Sequence, residues 1–187
     1  MQFPVPGAAG SAIWYRRGTL AGGDLHRIFA ALDAARVRYL VVGGVAVVLH
    51  GYPRFTADLD LVVELDRENA LAAIRALAEL GYRPRAPVSA DAFADPEARK
   101  SWIEDKGLTM FSMWSPTLPA TEVDLFVEEP IPFSAAYERA VQVDLGEARI
   151  TVAAIEDLLT MKQAAGRPRD LEDIEALEGI LREGIDG

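Results

Sequence analysis

Asp58-Leu59-Asp60 sets two carboxylates two residues apart. On an extended strand, where side chains alternate, both acids point to one face while Leu59 and Leu61 enter the other. Asp124 lies in a second apolar run, Glu122-Val123-Asp124-Leu125-Phe126-Val127, where a charge is costly unless it is hydrogen-bonded, paired or bound to a metal. Three such acids on neighbouring strands repel one another unless cations lie between them. Ligation by oxygen alone suits magnesium or manganese better than zinc, with substrate phosphates completing the shell. Upstream stands Gly43-Gly44, separated from the acid pair by thirteen residues. Glycines allow close backbone approach, and a helix opening there presents N–H groups to a phosphate. Each motif is ordinary alone; their order gives them weight.

The elements that must position these residues follow from hydrophobic period and punctuation. Residues 1–23 are rich in Gly, Pro and Ala and include Trp14, Tyr15, Arg16 and Arg17, which predicts an irregular arm. Asp24 caps a helix carrying Leu25, Ile28, Phe29 and Leu32 at helical spacing. Residues 39–42 read as a buried strand, Gly43-Gly44 as a tight turn, and 45–49 as a short buried helix against the β-branched propensity of its valines. Residues 59–65 form the next strand, and 66–80 an amphipathic helix with Leu71, Ile74, Leu77 and Leu80 on one stripe and Gly81 as its stop. Residues 83–106 read as a loop leading into a short exposed helix. Strands follow at 108–113 and 122–127, then a helix over 133–140 and a hairpin of 141–145 with 148–152 around Gly146-Glu147. The chain closes with helices over 154–165 and 171–181, broken at Gly166-Arg167-Pro168. The expected organisation is an arm (1–23), a core (24–153) and a C-terminal helical portion (154–187) packed on it. The fold class is α/β or α+β, a mixed sheet flanked by helices.

Composition bounds the function. The 187 residues carry 19 basic and 29 acidic side chains, a net charge of −10, with 50% hydrophobic residues and no cysteine. Disulfides, thiolate zinc sites and cysteine nucleophiles are excluded. No apolar stretch reaches the roughly 20 residues needed to span a bilayer, and the start lacks a signal-peptide pattern, so a cytoplasmic location with no membrane association is expected. The acidic balance argues against a broadly adhesive nucleic-acid binder. His26 and His50 lack catalytic or ligand spacing and read as structural, and Trp14, Trp102 and Trp114 as core or interface anchors, with Trp102 beside Arg99 and Lys100 as a possible cleft wall. Neither a Walker A nor a dinucleotide fingerprint is present.

Gly43-Gly44, Asp58-Leu59-Asp60 and Asp124 resemble the signature of the DNA polymerase beta-type nucleotidyltransferase superfamily. The likeness is nearest to small bacterial AbiEii-like, toxin-type nucleotidyltransferases, through Val41-Val42-Gly43-Gly44-Val45-Ala46, Thr56-Ala57-Asp58-Leu59-Asp60, and Met161-Lys162-Gln163-Ala164-Ala165-Gly166-Arg167 followed by Arg169-Asp170 and Asp173. It covers about residues 37–177. Gly44 stands where many members have serine. The resemblance implies a nucleotidyltransferase-like mixed sheet with C-terminal helices, an NTP donor and Mg2+ or Mn2+. It further implies metal ligation and catalysis by Asp58, Asp60 and Asp124, with nucleotide contacts from Gly43, Gly44 and Lys162. Arg54, just before the acids, and Arg167 are further candidate phosphate contacts, and Asp170 and Asp173 would support Lys162 or Arg167. From spacing alone Lys162 is a solvent lysine.

The reaction so implied is transfer of NMP to a hydroxyl, on RNA in toxin-type relatives. A cognate antitoxin protein and a homo-oligomer are then conceivable partners beside the NTP. Arg16, Arg17 and Arg27 at one end and Lys162, Arg167 and Arg169 at the other are the basic residues available to an RNA. Two alternatives stand open: an aminoglycoside-type antibiotic nucleotidyltransferase, which the acidic body favours, and a non-catalytic nucleotide-binding or protein-interaction domain.

Overall fold

A computed structural model describes residues 22–145 and 148–185. The expected arm at 1–23, with Trp14, Arg16 and Arg17, lies almost wholly outside them, as does the Gly146-Glu147 turn. Helix α1 (Gly22–Ala34) leads into strand β1 (Tyr39–Val42), helix α2 (Gly43–Leu49), strand β2 (Asp58–Val63) and helix α3 (Arg67–Glu79). There follow β3 (Arg83–Pro84), a 3-10 turn (Ala90–Ala94), α4 (Pro96–Lys106), β4 (Met110–Trp114) and β5 (Glu122–Phe126). Helix α5 (Phe133–Arg139), strands β6 (Val141–Leu145) and β7 (Ala148–Val152), and helices α6 (Ile155–Ala165) and α7 (Pro168–Ile185) complete the chain.

Among the described residues seven strands form one mixed sheet in the order β3-β4-β5-β2-β1-β7-β6. The fold is therefore α/β, with helices around a sheet that joins parallel and antiparallel pairs. β1 is buried along its whole length, and its Tyr-Leu-Val-Val run is the continuous apolar pattern of a strand covered on both faces. It pairs antiparallel with β2 and parallel with β7. β2 in turn runs parallel to β5, which carries β4 and then β3 on its far side. Phe93 and Trp102, from the 3-10 turn and α4, pack on Phe111 of β4 with ring centroids 5.3 and 5.2 Å away. Trp102 is thus a core anchor, not a cleft wall. Leu158 of α6 and Leu177 of α7 are buried in the same apolar core as β1 and β2. Among the described residues no helix is long and apolar enough to cross a membrane.

Several boundaries differ from the sequence reading, each for a local reason. α2 starts at Gly43, so the two glycines are its first residues and not a separate turn. Its buried Val45, Val47 and Val48 show burial overriding β-branched propensity. Asp66 caps α3 by accepting from the N–H groups of Glu68 and Asn69, so Asp66 precedes the helix. α7 opens at Pro168, an N1-type proline, three residues earlier than apolar spacing indicates. The short β3 was read as loop; it is a two-residue edge strand paired through Arg83↔Trp114 and Pro84↔Met113.

Candidate active site

Sheet register gathers the acids. In the parallel β2/β5 pair Asp60 lies opposite Asp124 and Asp58 opposite Glu122, while Val42, the last residue of β1, lies opposite Asp60. Leu59, Leu61, Val123 and Leu125 are fully buried, so the intervening acids emerge together on the other face. Asp58 is exposed; Asp60 and Asp124 are half-buried. On the next strand Ser112 lies opposite Asp124. Glu122 escaped the sequence reading, although its alternation with Asp124 repeats that of Asp58 with Asp60.

Asp60 bears the electrostatic load. Burial, then the neighbouring Asp124 and Asp58, push its carboxyl up to about 7, while the Gly44 backbone N–H and the Lys162 charge pull the other way. A raised carboxyl between two others marks a site short of positive charge. Gly43 makes the close approach possible. It has a φ of +61°, and a Cβ there would sit 1.9 Å from Asp60 Oδ2; only glycine fits. A Cβ on Gly44 would meet Thr56 Oγ1 at 2.5 Å and Arg54 Nη2 at 2.7 Å. The glycine pair therefore seats Asp60 and Arg54 directly, a task that the phosphate-turn reading did not foresee.

Arg54 continues into a second cluster. Its Nη2 donates to Asp173 Oδ2 at 3.0 Å, and its Nε lies 2.9 Å from Asp173 Oδ1 without the alignment of a hydrogen bond. Lys162 Nζ donates to the same Asp173 Oδ2 at 2.6 Å and to Asp170 Oδ1 at 3.2 Å. Asp173 is 1% and Lys162 7% exposed, so the lysine that spacing alone would place in solvent is buried between two carboxylates. Asp170 also accepts from the Arg167 backbone N–H at 3.2 Å. The Arg167 side chain is exposed and makes no ion pair among the described residues. Arg54, Lys162, Asp170 and Asp173 thus form one unit beside Gly44, and Arg167 joins it only through its backbone. His50, on the far end of α2, pairs its Nε2 with the Ala153 carbonyl at 2.8 Å, and burial lowers its pKa. That is a structural role, as expected.

Among the described residues no three Asp, Glu or His side chains close into a ready-made metal cage. The donors nevertheless fit a hard divalent cation: carboxylates on one face, one of them raised by burial and by the others. Magnesium in particular retains waters and takes only one or two carboxylates together with substrate phosphates. Beside Asp58 opens a hollow of about 190 Å³ shared with Arg85, Trp114 and Glu122. A larger hollow of about 370 Å³, lined by Leu65, Pro96, Ile103 and Val127, touches none of the predicted site residues.

Comparison with known proteins bears on the fold and the family. No curated protein matches the chain in sequence. Among solved structures, the lincosamide antibiotic adenylyltransferase LnuA, in its lincomycin-bound crystal structure, superposes with a TM-score of 0.58 at 15% identity, covering 86% of this chain and 98% of that one. A Thermotoga maritima protein assigned as a nucleotidyltransferase superposes with a TM-score of 0.52 at 18% identity, covering 85% of this chain and 91% of that one. At such identities the likeness is one of fold. Residues 24–186 match the model of the family described as nucleotidyltransferase of unknown function (DUF6036), and the chain is a member of that nucleotidyltransferase family.

Proposed function

We propose that the chain transfers a nucleoside monophosphate from an NTP to a hydroxyl acceptor at Asp58, Asp60 and Asp124, with magnesium or manganese held by these carboxylates. One observation carries the reading: Asp60 and Asp124 are register partners with Asp58 on the same face, and Asp60 is raised by burial and then by both. Asp58, Asp60 and Asp124 would hold the divalent cation, which would supply neutralisation of the donor phosphates and acidification of the attacking hydroxyl. Asp58 and Asp60 orient the donor phosphates. Asp124 faces the acceptor and takes the hydroxyl proton as the oxygen attacks the α-phosphorus. The new O–P bond forms, the bond from that phosphorus to the bridging oxygen breaks, and pyrophosphate leaves with the electron pair.

Arg54 and Lys162 supply the positive side of the donor site next to Gly43 and Gly44, oriented by Asp170 and Asp173, and exposed Arg167 reaches the outer phosphates. Mutual repulsion among the acids and attraction of the triphosphate towards the cations set the direction of the donor across β2. An RNA hydroxyl, as in toxin-type enzymes, is the first acceptor class. A small acceptor is the second reading, favoured by the acids on the open face and by a fold shared with an enzyme that adenylylates a lincosamide.

The test is transfer of label from α-labelled ATP, CTP, GTP and UTP to total RNA, an aminoglycoside panel and lincomycin with Mg2+, comparing wild type with Asp58→Asn and Asp124→Asn. Labelled product lost in both variants is the expected result. Transfer that survives either substitution, or wild-type protein that fails to bind Mg·NTP, overturns the proposal.

A further inference from the structure

Trp114 ends β4 one register step beyond the Met113↔Val123 pair, which sets it against Glu122, itself opposite Asp58. Met113, Val123 and Leu59 point into the core; Trp114, Glu122 and Asp58 therefore line up across three strands on the face that carries the acids. Trp114 is 39% exposed. An indole left open at a strand end presents a flat apolar surface with no packing role on that side. The hollow of about 190 Å³ beside it is lined by Trp114, Pro116 and Leu118 together with Asp58, Glu122 and Arg85.

These walls select a ligand. Drug-sized ligands take pockets of roughly 300–1,000 Å³, so this hollow admits a single ring. Its polar groups mix acceptors and donors: two carboxylates, and a guanidinium paired to Glu122. Arg85 is 58% exposed and Glu122 31%, and so accessible a pair is weak and easily exchanged for ligand groups. Hydroxyls both donate and accept, so they satisfy both kinds of partner, whereas a phosphate inside the hollow with no bridging cation would meet the Asp58 and Glu122 carboxylates. Position completes the case. The cations Arg54 and Lys162 lie on the β1 side of β2 beside Gly44, and the hollow lies on the β5 and β4 side, so a donor and an acceptor occupy opposite flanks of the acids.

We propose that this hollow is the acceptor subsite and that it takes a polyhydroxylated ring, a sugar or cyclitol with or without amino groups, stacked on Trp114. Glu122 and Arg85 bind its hydroxyls, and one hydroxyl is presented past Asp58 to the α-phosphorus, where the displacement described above proceeds with the same balance. The assignment rests on the nucleotidyl-transfer reading and names its acceptor.

Full-length protein is titrated with kanamycin, lincomycin, methyl α-glucoside and a 12-nucleotide RNA, following indole fluorescence and calorimetric heat, and separately with Mg·ATP. At least one ring compound is expected to saturate and quench the indole. Trp114→Ala weakens it at least tenfold and Glu122→Gln three- to tenfold. Trp114→Phe stays within threefold of wild type, and Mg·ATP affinity is unchanged throughout, which also certifies the fold of each variant. The subsite is overturned if no ring compound binds, if Trp114→Ala binds them like wild type, or if the RNA is the ligand that Trp114→Ala loses. Mg·ATP binding without ring binding sinks the subsite alone, and ring binding through Trp114 without Mg·ATP binding upholds a ring-binding site but sinks the transferase reading and with it the acceptor role.

Discussion

Two charged clusters meet at Gly43-Gly44, and they are built on opposite plans. On β2 and β5 three aspartates share a face with no paired cation among the described residues, and one of them is raised to about 7 by burial and then by its neighbours. Behind Gly44, Arg54 and Lys162 face Asp170 and Asp173, two charges against two, with Asp173 almost wholly enclosed. The first arrangement costs stability and is left open; the second is matched and sealed. A buried acid without a paired cation is suited to charge supplied from outside, which supports the proposed assignment of the chemistry to the open cluster, with the sealed cluster holding two cations at its edge.

The contrast breaks most visibly when each cluster loses one charge. Asp60→Asn removes the repelled carboxyl, so transfer activity drops by roughly 10³-fold while the metal-free protein melts at the same or a higher temperature than wild type. Activity assay and calorimetry on one preparation check both halves, and a variant that melts lower refutes the claim of stored repulsion. Asp173→Ala has the opposite signature. It leaves Lys162 with Asp170 alone and Arg54 with no paired carboxylate among the described residues, and breaking a buried pair in this way costs roughly 3–5 kcal/mol. In a domain of this size that is a fall of about 6–20 °C in Tm. Asp173→Asn, which keeps the shape and some hydrogen bonding, falls between wild type and Asp173→Ala.

Solution pH sharpens the same comparison at smaller amplitude. Asp60 holds its proton to about 7 in the folded chain against an ordinary 3.8. Between those values the native state binds more protons than the unfolded state, so metal-free stability falls as pH rises from about 4 to 7, by roughly 2–4 kcal/mol. Above that range the loss is complete, and below it there is none. Urea titrations across pH in chelator are expected to show this slope in wild type and not in Asp60→Asn. Added Mg2+ or Mn2+ should recover much of the loss at pH 8 by supplying the charge that Asp60 lacks.

How far the sequence discloses the two clusters follows from the range of the interactions that build them. The open cluster is legible because strand alternation is local: Asp58-Leu59-Asp60 and Glu122-Val123-Asp124 declare their faces within three residues, and only the Asp60↔Asp124 register had to come from the fold. The sealed cluster is not, since it joins positions 119 residues apart, Arg54 and Asp173. The period of α6 sends Lys162 towards solvent until α7 folds over it. Trp114 was read as an anchor because tryptophans usually are; its exposure depends on β4 ending where the sheet face stays open. The α2 glycines were recognised by type, but their main duty, making room for a carboxylate from another strand, is invisible to any local pattern.

That duty yields the finest test. An alanine at 43 suffers twice: its φ of +61° is unfavourable to any side chain, and its Cβ falls 1.9 Å from Asp60 Oδ2. The first penalty is intrinsic to the backbone, about 1–2 kcal/mol, and the second depends on Asp60 being present. Gly43→Ala alone should therefore destabilise by more than the backbone term. The same change made in Asp60→Ala, where the carboxylate is gone and only the Cβ at 2.9 Å remains, should cost less than in wild type. The coupling from this double-mutant cycle, expected at about 0.5–3 kcal/mol for residues in contact, measures how closely α2 and β2 are pressed together at the site. A coupling near zero would mean that Asp60 swings away freely. The open cluster would then be loosely held, its acids able to part without help from a cation, and the distinction between an open strained site and a closed relaxed scaffold would fail at the residue that joins them.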